Sequence, residues 1–211
     1  LVAVSKPNTS DIHNFRTTFF AEIINYIQTR CSELNYSIIY SVVPHKEFLQ
    51  KILNLESIQP SCGAIVLGTY LDDNEVSLLQ QLPIPFVLLD RNCTIHNINS
   101  ISIKNFPGAY LAGESLIGRG HSHIGYISSS PNVYNLKERY HGFLSALQKH
   151  GLSIEPGDII PSNSYSADGV ERLKKALVGR SNIPTAFFCE NDYTALSLVS
   201  ALTQLGYSVP G

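Results

Sequence analysis

The chain has 211 residues, of which 44% are hydrophobic and 15% charged, and its formal net charge at pH 7 is -2. This composition excludes intrinsic disorder, which requires low hydrophobicity and high net charge, and no apolar run reaches the ~18 residues that cross a bilayer. The near-neutral charge supplies no overall field to attract nucleic acid, so we do not expect these residues to bind DNA by themselves.

The absence of Met, even at position 1, predicts that the chain is a fragment or a processed product. Residues 1–4 are strand-like and lack the charged region, apolar core and cleavage site of a signal peptide. The four cysteines are widely spaced and form no Cys-x-x-Cys pair. We therefore expect reduced thiols in a cytoplasmic protein.

Strand-like and helix-like segments alternate along the chain. Apolar and β-branched runs predict eight strands, at residues 1–5, 36–43, 63–67, 85–89, 98–103, 123–128, 158–160 and 185–189. Apolar residues at helical spacing predict seven helices, over residues 19–34, 48–55, 73–81, 107–118, 136–150, 167–178 and 194–205. Pro107 fits the first turn of its helix, and Asn191 or Asp192 is the expected N-cap of the last helix.

This alternation predicts an α/β fold built from right-handed βαβ units and parallel sheet. The apolar runs at residues 65–67 and 86–89 fit strands that are buried on both faces. Eight strands could form one sheet or two. The polar stretch at residues 91–100 and the new start at Pro107 favour two doubly wound lobes, residues 1–103 and 104–211.

In open α/β sheets, ligands bind outside the carboxyl ends of the strands. That rule selects six candidate segments, at residues 6–10, 45, 68–72, 90–92, 128–131 and 190–192. Most of their residues form hydrogen bonds, and few could act together as nucleophile and base. The chain also lacks the glycine-rich dinucleotide and Walker motifs and the G-x-S-x-G elbow.

His121 and His123 have a spacing that places two imidazoles on one face of a strand, but a metal site needs further ligands. We expect both to cap or pack the start of that strand. The sequence therefore predicts no catalytic residue, no metal and no cofactor.

Each candidate binding residue has a structural alternative. Arg139 is either an exposed helix residue or a fork of donors for a polar ligand. Asp90 either caps a turn or accepts hydrogen bonds from ligand hydroxyls. Asn191 and Asp192 are also helix-cap candidates, and only one of them is needed for that. An aromatic cluster fits a core, although a ring in the first helical turn could stack on a sugar or base: Phe15, Phe19 and Phe20.

Several segments recur in a characteristic order over essentially the whole chain. They are FFAEI at 19–23, CGAIVL at 62–67, PFVLLD at 85–90, residues 108–116, LIGRGHSHI at 116–124, RYHGFLSAL at 139–147, PTAFFCENDYTA at 184–195 and GYSVP at 206–210. Together they resemble the effector-binding core of the lactose/galactose-repressor family of bacterial transcription regulators.

The resemblance implies two similar lobes, like those of type I periplasmic binding proteins, with a sugar or nucleobase-like metabolite between them. Arg139, Asn191 and Asp90 match effector-contacting positions. The other expected effector-binding residues are Asn8, Thr69, Phe19 and Asp192. Ligand-dependent lobe closure would control operator binding by a helix-turn-helix domain outside this chain, in a cytoplasmic homodimer without membrane association.

The sequence departs from the family pattern at several places. Residues 7–18 form a longer connection than usual, and Lys104-Asn105 replaces an Asp-Asn pair. Relatives continue beyond Val209-Pro210 into an effector loop that carries an Asp, so we expect the second lobe to be truncated at its C-terminus. Residues 1–211 include no helix-turn-helix segment of the family, so we expect DNA binding to lie outside them.

Two other functions are compatible with the residues. One is a periplasmic or surface sugar-binding protein of the same fold, and the other is an α/β enzyme with an unrecognised site. The apolar helix positions Ile52/Leu55 and Leu78/Leu79 belong either to a dimer interface or to the core.

Overall fold

A computed structural model of the chain describes residues 1–6, 18–93, 98–129, 133–162 and 168–210. Strands and helices alternate there as the sequence predicts, and Asn8 lies outside the described residues. The strands are β1 Val2–Lys6, β2 Tyr40–Pro44, β3 Ala64–Leu67, β4 Phe86–Leu89, β5 Ser100–Ile101, β6 Ile124–Ser128, β7 Ile159–Pro161 and β8 Ala186–Cys189. The helices are α1 Thr18–Glu33, α2 Phe48–Ile58, α3 Asp73–Leu78, α4 Asn105–Gly118, α5 Tyr134–Lys149, α6 Gly169–Leu177 and α7 Asp192–Gln204.

The chain divides into two units, Leu1–Ile103 and Lys104–Gly211. In the first unit, five parallel strands form a sheet in the order β2-β1-β3-β4-β5. This is a doubly wound order, and its carboxyl edge is where open α/β sheets bind ligands.

Successive strand residues point to opposite sides of the first sheet, and apolar side chains are packed on both sides. Val2 and Leu67 pack with Phe20 of α1 on one face. On the other face, the core includes Ala3, Val66, Leu88, Ile52 and Leu79. The side chains of Ile52 and Leu79 are 0% exposed. These two residues therefore belong to the core and not to a dimer interface.

The second unit contains a parallel sheet in the order β7-β6-β8. Ile127 of β6 packs against α6 and α7, whereas Tyr126 packs on the opposite side against Phe143 of α5. The rings of Tyr126 and Phe188 stack with centroids 5.5 Å apart. These contacts place β6 at the centre of the unit, with β8 beside it.

The packing of α4 against α5 requires a glycine at position 142. A Cβ atom built there would lie 2.2 Å from the backbone oxygen of Phe106. The close approach brings the start of α4, at Asn105, beside Arg139 of α5.

The strand predicted at residues 98–103 is shorter in the structure, where only Ser100 and Ile101 pair with β4. Ile101 and Ile103 are both exposed, since β5 lies at the edge of the sheet and has one neighbouring strand. The second strand likewise begins at Tyr40, after a turn in which Asn35 has a φ of 60°.

Two further properties bear on chemistry. Cys31, Cys62, Cys93 and Cys189 are free thiols. Among the helices that the structure describes, none combines the length and apolar character needed to cross a membrane.

Candidate functional site

The carboxyl ends of β6 and β8 lie next to each other, because Ile127 pairs with Cys189 in the parallel register. Ser129 therefore follows β6 at the point where residues 190–192 follow β8. Polar side chains from both connections meet there, at the edge where ligands bind in this class of sheet.

Glu190 is the centre of this group of polar residues and is only 6% exposed. Its Oε1 accepts a hydrogen bond from the Tyr126 hydroxyl at 2.8 Å. Its Oε2 accepts from the Ser129 backbone N–H at 2.6 Å and from the Ser129 hydroxyl at 2.8 Å. These three donors replace the hydrogen bonds to water that a carboxylate loses when it is buried.

The environment of Glu190 also determines the protonation of its neighbours. Burial, and secondly the Glu190 charge and hydrogen bond, raise the pKa of Tyr126 far above its usual value, so its hydroxyl remains a donor. Burial, with a further contribution from the Glu190 charge, raises the pKa of the Cys189 thiol to about 12. Cys189 is therefore a thiol at neutral pH and a poor nucleophile.

Asn191 begins α7 as its N-cap. Its Oδ1 accepts from the backbone N–H of Thr194 at 2.9 Å, and the Thr194 hydroxyl accepts from the Asn191 N–H at 3.1 Å. The Asn191 side-chain amide also donates to the Ser129 hydroxyl oxygen at 3.4 Å. Asp192 is exposed, and its Oδ1 accepts from the Tyr193 N–H at 3.0 Å. Of the two predicted caps, Asn191 is the one that caps the helix.

Arg139 connects three elements of the second unit. Its Nε donates to Asn105 Oδ1 at 2.8 Å, and one terminal guanidinium nitrogen donates to the backbone oxygen of Glu190. The remaining guanidinium N–H groups have no partner within the part of the chain that the structure describes. Arg139 is half-buried, so its position is set by these bonds and it still has donors for a ligand.

In the first unit, Thr69 follows β3 and Asp90 follows the neighbouring strand β4. The Thr69 hydroxyl donates to Asp90 Oδ2 at 2.7 Å, and both residues are buried. Asp90 has a φ of 61°, a left-handed conformation that Asp tolerates better than most residues. The sequence prediction thus selected two residues that the fold brings into direct contact.

Arg91 lies in the candidate segment 90–92, but the sequence assigns it no individual role. It is buried and pairs with Asp73 in the first turn of α3. The pair connects the end of β4 to the helix that follows β3.

Phe19 lies on α1 with 43% of its surface exposed, and its ring meets that of Phe20 edge-on at 5.3 Å. The structure does not bring it together with the other described candidates of its unit, Thr69 and Asp90, through any contact. Its assignment to the site stays a prediction.

His121 and His123 contact residues near the opposite, amino edge of the second sheet. His123 Nε2 lies 2.7 Å from Asp158 Oδ2, and Arg180 pairs with the other oxygen of Asp158. His121 Nδ1 lies 3.0 Å from the Thr185 hydroxyl. Both histidines pack the start of β6, as expected. Across the described ranges, no group of three His, Cys, Asp or Glu side chains could hold a metal ion.

The comparisons with known proteins agree with this picture. A family model described as "Periplasmic binding protein-like domain" matches residues 114–211. The HTH-type transcriptional repressor PurR of Haemophilus influenzae is 34% identical over 196 residues, which are 91% of this chain and 57% of that protein. The chain therefore spans less than three-fifths of the length of this curated relative.

Two solved structures share the fold. A sugar-binding transcriptional regulator of the LacI family from Escherichia coli, complexed with phosphate, has a TM-score of 0.82 and 19% identity, with 99% of this chain and 74% of that chain covered. A LacI family transcriptional regulator from Enterococcus faecium with bound ribose has a TM-score of 0.71 and 22% identity, with 98% and 73% covered.

Proposed function

The chain has an effector-binding core of the lactose/galactose-repressor type, and we propose that it senses a small-molecule effector, a sugar, for a bacterial transcriptional repressor. The 34% identity to a transcriptional repressor supports this function over a periplasmic sugar-binding protein or an enzyme. In this proposal the protein acts by binding and conformational change, as a cytoplasmic homodimer.

The observation that carries the proposal is the set of polar groups at the carboxyl edge of the second sheet. Arg139 is held by two hydrogen bonds and retains N–H groups without a partner among the described residues. Ser129 and Asn191 lie at the same edge and contact each other. The guanidinium supplies donors, and hydroxyl and amide groups both donate and accept, so together these groups can bind the hydroxyl groups of a neutral polyol.

The net charge of this edge also favours an uncharged ligand. Glu190 and Asp192 are acidic and Arg139 is basic, so an anionic effector would meet an excess of negative charge. A sugar satisfies the donors without adding charge. The E. coli neighbour described as sugar-binding and the E. faecium neighbour with bound ribose support this ligand class.

The first unit contributes Thr69 and Asp90 in the proposed mechanism, and it contributes Asn8 and Phe19 by the family resemblance. We propose that effector binding draws the two units, as the N- and C-terminal lobes of the core, toward a closed state. A ligand shifts such an equilibrium only by its difference in affinity for the two states. Closure then changes operator binding by a helix-turn-helix domain outside this chain.

A thermal-shift panel tests the proposal with D-ribose, other pentoses, hexoses and nucleobases on the 211-residue chain. Stabilisation follows RT ln(1 + [L]/Kd), which is about 2.7 kcal/mol at a hundredfold excess over Kd. We expect a sugar to raise the Tm of the wild type and of Arg172→Ala, whose arginine lies exposed on α6, but not of Arg139→Ala.

Equal stabilisation of Arg139→Ala and wild type by the same sugar would remove Arg139 from the site. Stabilisation by nucleobases alone would replace the proposed ligand class.

A further inference from the structure

We propose that Glu190 is a positioning residue that orients Ser129 as a hydrogen-bond acceptor for an effector hydroxyl, an inference that rests on the proposed function. Glu190 follows a buried strand and lies in the candidate segment 190–192, but the sequence assigns it no individual role. Its role follows from the contacts of its carboxylate and of its backbone oxygen.

Glu190 holds the proton of the Ser129 hydroxyl in a hydrogen bond. A serine hydroxyl has one proton to donate and two lone pairs that accept. The Ser129 hydroxyl donates to Glu190 Oε2 at 2.8 Å, and the same carboxylate oxygen accepts from the Ser129 backbone N–H at 2.6 Å. Two bonds to one oxygen fix the residue and commit its proton, so the Ser129 hydroxyl oxygen is available only as an acceptor.

Asn191 and Arg139 supply donors at the same edge of the sheet. The Asn191 amide donates to the Ser129 oxygen over 3.4 Å, which is long for a hydrogen bond. The backbone oxygen of Glu190 accepts from the Arg139 guanidinium. One residue thus holds an acceptor through its carboxylate and a donor through its carbonyl. A sugar hydroxyl matches both, because it donates and accepts.

The backbone and the aromatic core of this unit make contacts that do not depend on the Glu190 carboxylate. The register of β8 beside β6 is already held by backbone bonds, including that from Glu190 N–H to the oxygen of Ile127 at 3.2 Å. The rings of Tyr126, Phe143 and Phe188 also pack against one another, through contacts that do not include the carboxylate. Burying a carboxylate carries a desolvation penalty, and buried charges are weak evidence of stabilisation. The arrangement of Ser129 gives the buried charge a functional explanation.

The experiment compares Glu190→Ala, Glu190→Gln and a control, Glu171→Ala, which removes an exposed glutamate of α6. Glutamine keeps an oxygen that can accept from Ser129, while its amide nitrogen can donate to the Tyr126 hydroxyl. The first readout is the Ser129 amide proton shift in ligand-free ¹H–¹⁵N spectra. The second is D-ribose affinity by calorimetry, well below each variant's Tm.

We expect Glu190→Ala to move the Ser129 amide proton upfield and to weaken D-ribose binding by about tenfold to a hundredfold, the effect of losing a charge-assisted bond. Glu190→Gln restores part of the affinity, because the neutral amide oxygen is a weaker acceptor than the carboxylate, and Glu171→Ala matches the wild type. Ser129→Ala loses affinity on its own and removes the further effect of Glu190→Gln, because the two residues act through one contact.

An unmoved Ser129 amide proton in Glu190→Ala overturns the proposal, and so does D-ribose affinity equal to that of Glu171→Ala. If Glu190→Ala does not fold, the Ser129→Ala and Glu190→Gln cycle decides, and simple additivity of the two losses overturns the coupling. Absence of any sugar binding by the wild type refutes the proposed function. The ligand-free shift of Ser129 still decides whether Glu190 positions that residue.

Discussion

The carboxyl edges of the two sheets carry different kinds of polar contact. In the first unit, Thr69 and Asp90 follow neighbouring strands and form one direct bond of 2.7 Å. In the second unit, Glu190 collects three donors from Tyr126 and Ser129 and its backbone binds Arg139. The Thr69–Asp90 bond joins the ends of two neighbouring strands, whereas the Glu190 contacts join β6, β8 and helix α5. Substitutions should therefore have local effects in one unit and distributed effects in the other.

The largest expected effect is that of Gly142→Ala, because the new Cβ would lie 2.2 Å from the Phe106 oxygen. Backbone must move, which should destabilise the second unit by about 3 kcal/mol and displace Asn105 from Arg139. Denaturant unfolding measures the loss. Gly108→Ala is the matched control in α4, since its Cβ meets nothing within 4 Å, and it should leave stability unchanged or slightly raised. Equal denaturant midpoints for Gly142→Ala and Gly108→Ala would show that the contact between α4 and α5 does not require a glycine at position 142.

The next effect is in the first unit, where Thr69→Val removes the hydroxyl that donates to Asp90. Loss of a bond to a buried carboxylate should cost about 2 kcal/mol. Hydrogen exchange of amides in β3 and β4 should speed up, while amides of β6 and β8 keep their protection. Loss of protection in both sheets would show that the first edge is not a local pair.

A smaller effect separates the two residues that begin α7. Asn191→Ala removes the N-cap and should cost about 1 kcal/mol. Asp192→Ala removes an exposed first-turn charge and its local bond from the Tyr193 N–H, and should cost a few tenths. Chemical denaturation of the two variants side by side gives the comparison. Equal losses would mean that the cap is shared.

The smallest effect is on reactivity rather than stability. Because burial raises the pKa of Cys189 to about 12, its thiol should not react with an aromatic disulfide reagent at pH 8, whereas exposed Cys62 should. The folded-state pKa lies above that of an unfolded cysteine, so this thiol favours the folded state at low pH. That contribution is lost as pH rises from about 9 toward 12. Mass spectrometry of the labelled chain identifies the modified cysteine, and rapid labelling of Cys189 in the folded chain would contradict its burial.

The sequence predicted most of the fold because βαβ units are encoded locally. The apolar runs of β3 and β4 each carry their own signal, and Asp90 ends one of them. Asn191 could be predicted as a cap from the residues beside it. The predicted edge strand β5 is too long, since an isoleucine-rich run does not reveal that β4 is its one neighbour among the described strands.

The sequence selects the segments 128–131 and 190–192 but does not predict the contacts of Glu190. Its partners Tyr126 and Ser129 lie 64 and 61 residues away, and only the register of β6 against β8 brings them together. Arg139 was found by family resemblance, but its bond to Asn105 depends on the close packing of two helices at Gly142. Two features of the sequence could have indicated the contacts of Glu190: a tyrosine, Tyr126, inside one apolar strand, and an acidic residue, Glu190 itself, directly after another apolar strand.

A crystal structure of the chain grown with D-ribose tests the central claim most directly. The account predicts a sugar oxygen about 2.7–3.2 Å from a guanidinium nitrogen of Arg139, with a sugar hydroxyl donating to the Ser129 oxygen. A sugar bound away from the carboxyl edge of the second sheet, with Arg139 bonded only to Asn105 and Glu190, would contradict it.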